Sequence, residues 1–182
     1  MAKRALGART GLLLAGAALI AGLLAAGGLP RDGETLVVGI GSDPGSLDPA
    51  RVTSVPAGRV LRALFEGLTT SDPSTLAPLP GAAERWTVGD DGLHYRFELR
   101  PANRWSNGDP VTAEDFRFSW LRILDPVEGC PYAQLLWPIR GAREYSTGAG
   151  PRDAVGIRSS SPYVLEVELA RPTPHFLSLT CF

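Results

Sequence analysis

The chain has 182 residues, 44% of them hydrophobic and 20% charged, with a formal net charge of −1. That length holds one ordinary domain with a sizeable core, or a domain plus a fragment of another, and the composition indicates neither a disordered chain nor a polytopic membrane protein. The 21 Gly and 16 Pro favour short strands and helices joined by turns, and the charge leaves no electrostatic footprint for nucleic acid.

Lys3, Arg4 and Arg9 precede an uncharged stretch from Thr10 to Pro30 rich in Leu, Ala and Gly, the pattern of a secretory signal. Small residues at Ala25, Ala26 and Gly27 suit a signal peptidase, and the length of the apolar run keeps an uncleaved membrane anchor as the alternative. No Cys stands at the end of that run to carry a lipid. Residues 1–30 are therefore expected to be a signal or anchor and residues 31–182 the folded part, with 15 basic against 19 acidic side chains, a net charge of −4. Export would place Cys130 and Cys181 in an oxidising compartment, where they pair or remain thiols; their spacing does not decide.

Next, the apolar, β-branched run Thr35 to Gly41 predicts a buried strand, followed by a turn-rich segment to Pro49. Val60, Leu61, Leu64, Phe65 and Leu68 recur at helical spacing and predict an amphipathic helix over Ala57 to Leu68, with a Ser-, Pro- and Thr-rich loop running on to Pro80. Leu93, Tyr95, Phe97 and Leu99 alternate with His94, Arg96, Glu98 and Arg100, which predicts a half-buried strand between the turns Asp90-Asp91-Gly92 and Ser106-Asn107-Gly108. Thr112, with Asp115 three residues on, predicts a helix start; Phe116, Trp120, Ile123 and Leu124 supply its buried face, and Pro126 its end. A second alternating strand, Tyr163 to Leu169, turns Glu166 and Glu168 outward to complement the basic face around Arg96. Thr173 and Pro174 predict the opening of a last helix.

Chemical motifs are weak. Gly39, Gly41 and Gly45 follow a predicted strand, but Pro44 and Pro49 interrupt the region and a dinucleotide fingerprint needs a helix there, so no cofactor is expected. His94 and His175 have no metal-ligand spacing to each other or to the cysteines. No G-x-S-x-G elbow occurs, and Asp90 and Asp91 before Gly92 read as solvated turn residues. Among Trp86, Trp105, Trp120 and Trp137, Trp120 lies on the predicted core stripe; the other three stay open between packing and stacking on a ligand.

From Pro44 onward the text is dense in a different way: Ser46-Leu47-Asp48-Pro49, Leu64-Phe65-Glu66-Gly67-Leu68, Ala83-Glu84-Arg85-Trp86, Tyr95 through Asp115, then Phe116, Ser119, Trp120, Arg122, Asp125 and Pro126, Pro131-Tyr132-Ala133 and Leu165 through Leu169. In order and spacing it resembles the N-terminal portion of the extracellular solute-binding proteins of family 5, especially oligopeptide-binding proteins. The resemblance implies a mixed α/β clamshell of the periplasmic-binding-protein type II kind, acting as a monomer without cofactor or bond chemistry. It would hold oligopeptides by backbone hydrogen bonds like those of strand addition, outside the cytoplasmic membrane, and deliver them to ABC importer permease subunits. Thr53, Ser54 and Val55 fall on the stretch that resembles the cleft lining, and Tyr132 on a ligand-facing tyrosine. Where the family segment can carry an acidic residue this chain has Thr53.

Proteins of this kind continue through a second lobe, so the expectation is a first lobe without its partner, with a gene fragment, a frameshifted product and half of a split protein left open. Such a chain would bind peptide weakly or not at all. A secreted hydrolase and a membrane-tethered interaction module are the alternatives from other classes.

Overall fold

The computed structural model describes residues 36–181. The chain divides into a unit Met1–Gly39 and a unit Ile40–Phe182; the expected signal or anchor, residues 1–30, lies outside the described residues. Among those described, no helix is long and apolar enough to cross a membrane. The strand expected over Thr35 to Gly41 is corrected: residues 36–40 are irregular, with Leu36 87% exposed and Val37 and Val38 also exposed. A β-branched run becomes a buried strand only where a neighbour completes its ladder and covers its face, and no described strand pairs with it.

The unit Ile40–Phe182 is built on a four-stranded antiparallel sheet, ordered β3-β4-β6-β5, with β3 at Ala83–Val88, β4 at His94–Leu99, β5 at Ile157–Ser161 and β6 at Val164–Glu168. A two-stranded piece, β1 at Thr69–Ser71 and β2 at Pro78–Pro80, stands beside it. The alternation in the sequence is the alternation in the fold: Tyr95, Phe97 and Leu99 of β4 and Leu165 and Val167 of β6 are buried, while Arg96 faces outward. The Leu99 N–H donates to the Tyr163 carbonyl and the Leu169 N–H to the Leu93 carbonyl, both at 2.8 Å, so pairing reaches the ends read from the sequence. The expected complement to Arg96 is also present, since Arg96 pairs with Glu166 in register and its Nη1 lies 3.0 Å from Glu166 Oε1. At the β3–β4 hairpin, Gly92 takes φ +67°, and Asp91 Oδ1 accepts the Leu93 N–H at 2.9 Å.

The helices are α1 at Val55–Leu64, α2 at Ala113–Ile123, α3 at Ala142–Ser146 and α4 at Phe176–Leu179, with 3-10 turns at Ala133–Leu136 and Arg152–Ala154. Asp115 locks the start of α2 by accepting both the Thr112 N–H (2.7 Å) and the Thr112 hydroxyl (2.8 Å). α2 then lies on β5 and β6, burying Trp120, Leu121 and Leu124, with Phe116 and Ile123 half-buried at its margin. Phe176 closes the core between Tyr95 and Trp120, with ring centroids 4.9 and 6.3 Å away.

Two helices differ from expectation. α1 starts at Val55 rather than Ala57, because the Ser54 hydroxyl caps it by accepting the Ala57 N–H at 3.4 Å and Pro56 fits the first turn. It ends at Leu64 because Phe65 is extended, and Leu68 is buried beyond it on the way into β1. Of its face only Ala57 is buried; Leu64, at 60%, and Phe65 are exposed. α4 starts at Phe176 rather than Pro174, since the buried Thr173 turns its hydroxyl to the Arg171 carbonyl (3.1 Å) and leaves the cap unmade.

Candidate functional site

The Ser46-Leu47-Asp48-Pro49 stretch folds into a turn on its own side chains. The Asp48 N–H donates to Ser46 Oγ at 3.0 Å, the Ala50 N–H to Asp48 Oδ1 at 3.1 Å, and the Arg51 N–H to the Asp48 carbonyl at 3.0 Å. The turn leaves the Asp48 carboxylate facing the last turn of α2. There Arg122 grips it with both terminal nitrogens, Nη1 to Oδ1 at 3.0 Å and Nη2 to Oδ2 at 2.6 Å. Arg51 returns in the other direction, its Nη2 3.0 Å from Glu128 Oε2 and its Nε 3.6 Å from Asp48 Oδ2, while Arg122 Nη2 lies 3.6 Å from Glu128 Oε2. Two cations and two anions thus alternate in one cluster. The Arg122 hydrogen bonds hold the Asp48 carboxyl below the usual carboxylate range against the opposing effect of burial, and Asp48 in turn pushes the Arg122 guanidinium further up.

This cluster joins the two segments that carry the residues read from the sequence. Thr53 and Ser54 follow the turn and are exposed, and Val55, the first residue of α1, is 69% exposed. On the other side, Asp125 fixes the turn after α2: its Oδ1 accepts the Val127 N–H at 2.9 Å and its Oδ2 the Tyr145 hydroxyl at 3.2 Å. The chain then reaches Tyr132, 48% exposed, whose carbonyl accepts the Leu135 N–H at 3.0 Å to begin a 3-10 turn. Among the described residues no hydrogen bond joins Tyr132 to Thr53, Ser54 or Val55; the Asp48, Arg51, Arg122 and Glu128 cluster is the link between their segments. Ser54 already spends its hydroxyl oxygen on the α1 cap. Sequence reasoning missed the tie, because Asp48 and Arg122 are 74 positions apart and each reads locally as a turn residue and a helix-end cation.

Two open concavities lie elsewhere. One of about 490 Å³ is lined by Thr87, His94, Arg96, Arg158 and Glu166 on the polar face of the sheet, and one of about 550 Å³ by Glu114, Arg117, Arg152 and Ser159 beside α2. Neither is lined by Thr53, Ser54, Val55 or Tyr132. Among the described residues no group of three His, Cys, Asp or Glu side chains is disposed to hold a metal ion. Cys130 and Cys181 are both free thiols, and burial pushes the Cys130 thiol up. Trp120 is a core residue, whereas Trp137 is partly exposed, stacked under the Arg143 guanidinium at 5.3 Å and donating from Nε1 to Ser146 Oγ at 2.7 Å.

Comparison with known proteins places this architecture. The chain is 40% identical over 148 residues to the oligopeptide-binding protein OppA of Bacillus subtilis, which covers 81% of this chain and 27% of that protein. It is 40% identical over 169 residues to the periplasmic oligopeptide-binding protein OppA of Escherichia coli, covering 92% of this chain and 31% of that protein. Among solved structures, Haemophilus influenzae OppA in complex with RPPGFSPFR superposes with a TM-score of 0.74 at 39% identity, over 78% of this chain and 28% of that one. The chain therefore spans under a third of the length of these relatives. The family model for bacterial extracellular solute-binding proteins, family 5 Middle, matches residues 77–181. The chain belongs to the bacterial extracellular solute-binding proteins of family 5.

Proposed function

We propose that this chain presents part of the peptide-contacting surface of an ABC importer's substrate-binding component, with Thr53, Ser54, Val55 and Tyr132 as the ligand contacts. The observation that carries the reading is the charge cluster that ties the Thr53–Val55 segment and the Tyr132 segment to one end of α2. The relatives named as oligopeptide-binding, one of them solved with a bound peptide, supply the ligand class. These relatives are binding proteins, so the hydrolase alternative gains no support from them. Capture takes place outside the cytoplasmic membrane, in the periplasm where the Escherichia coli relative is named, after export directed by residues 1–30. The loaded protein then meets permease subunits in the membrane, acting as a monomer and without a cofactor.

The exposed backbone around Thr53 to Val55 offers hydrogen-bonding groups to an extended peptide, and the Tyr132 ring offers an apolar surface with a polar tip. Both stand on open surface. On these residues a ligand keeps one side in water, so binding by this chain is expected to be no better than about the millimolar level. Titrating tri-alanine into the ¹⁵N-labelled chain tests this: amide shifts at Thr53, Ser54, Val55 and Tyr132 support the reading, and shifts caused only by sugars, or only in the two concavities, overturn it.

A further inference from the structure

We propose that Arg122 is a positioning residue for the ligand-contacting segment: through Asp48 it sets where Thr53, Ser54 and Val55 stand relative to the chain that leads to Tyr132. The inference rests on the peptide reading above for its ligand, but the positioning itself rests on geometry alone.

Three observations converge. The first is the fork: Arg122 holds both Asp48 oxygens, at 3.0 and 2.6 Å, and a planar two-point contact fixes direction as well as distance. The second is what else holds the segment. Of the segment's side chains from Leu47 to Val55, Leu47 and Val55 are exposed and Val52 is only half-buried, and the first buried residue is Ala57. Packing therefore does little here, and the four-charge cluster is the main tie to the body of the domain. The third is the attachment point. Arg122 sits on the last turn of α2, directly after the buried Trp120 and Leu121, so its backbone is anchored to the core. Glu128 extends the same tie into the turn that leads to Tyr132, and it shares its carboxylate between Arg51 at 3.0 Å and Arg122 at 3.6 Å. One guanidinium therefore touches both segments that carry proposed ligand contacts.

The alternative is that the cluster only adds stability. Arg122, Asp48 and Glu128 retain 33%, 27% and 31% of their side-chain exposure, and a two-point contact within a charge network does contribute stability, so the size of that contribution does not separate the two roles. Positioning and stability predict different readouts.

The test uses the full chain and three variants, Arg122→Met, Arg122→Lys and Asp48→Asn, with tri-alanine as the probe. Amide exchange of Arg51, Ala57 and Gly58 reports the segment, because their N–H groups close its turn and the α1 cap; exchange of Phe97 and Leu99 reports the core. Arg122→Met and Asp48→Asn are expected to speed exchange at the three segment amides by about tenfold, leave the two core amides within about twofold, and weaken tri-alanine binding by about fivefold. Arg122→Lys, a single-point cation, is expected to fall between wild type and Met. Equal acceleration in the core and the segment for both Met and Asn variants would mean a purely stabilising role and overturn the proposal, as would unchanged segment exchange. Faster segment exchange with unchanged tri-alanine affinity would overturn the link to ligand. If wild type itself shows no tri-alanine shifts, the peptide reading fails while the exchange data still decide whether Arg122 fixes the segment.

Discussion

Arg96 of β4 and Glu166 of β6 are direct register partners, and their side chains meet at 3.0 Å on the solvent face of the sheet. Arg158 of β5 is the register partner of Glu166 on its other side, so one carboxylate stands between two guanidinium-bearing positions.

Replacing that carboxylate by a cation tests the arrangement. Both partners are about half exposed, so Glu166→Ala is expected to cost about 0.5 kcal/mol, within the range of exposed pairs. Glu166→Lys places three like charges side by side and is expected to cost about 1 kcal/mol. Urea denaturation of the two variants checks the order.

Phe97 is fully buried at the centre of β4 and belongs to the core that joins the sheet to α2 and α4. Phe97→Ala is expected to cost about 3–5 kcal/mol through lost burial and a residual cavity. An unchanged denaturation midpoint would show that the core is not organised around this ring.

The Asp48 carboxyl is held below its ordinary value, first by the Arg122 hydrogen bonds. A carboxylate with a depressed folded value contributes stability above its unfolded value of 3.8 and loses it as pH falls through the folded one. Wild type is therefore expected to lose stability relative to Asp48→Asn as pH drops below about 4. The two proteins' stability curves from pH 7 to pH 2 should converge on the acid side; parallel curves would refute the coupling.

Gly141, the residue before α3, takes φ +70°, and an added Cβ would stand 2.6 Å from the Ala154 carbonyl oxygen. Strained φ and backbone clash act together, so Gly141→Ala is expected to destabilise by about 2 kcal/mol. Calorimetric Tm measurement would show it.

The strands that were legible in the sequence are those whose side chains alternate over their whole length. β4 and β6 announce themselves through Tyr95, Phe97, Leu165 and Val167. β5 reads Ile-Arg-Ser-Ser-Ser and β3 buries only Ala83 fully; such edge strands are held by their neighbours' ladders, which local pattern does not reveal. α2 was legible because cap, stripe and terminating proline agree. The start of α4 is not legible in the sequence because the Thr173 hydroxyl meets a carbonyl rather than a helix N–H, a choice made by tertiary surroundings. The candidate contacts rest on resemblance alone, while the cluster that joins their segments spans 74 positions and is visible only in three dimensions.

The meeting of β1 and α4 has a kinetic meaning. The Thr69 N–H donates to the Thr180 carbonyl at 3.2 Å, and the two hydroxyls lie 2.7 Å apart across a separation of 111 residues. Closing so long a loop is entropically cheapest after the intervening sheet has already folded back on itself. The seam is therefore expected to form after the sheet has closed, and weakening it should shorten the lifetime of the native state while leaving the rate of its formation nearly unchanged.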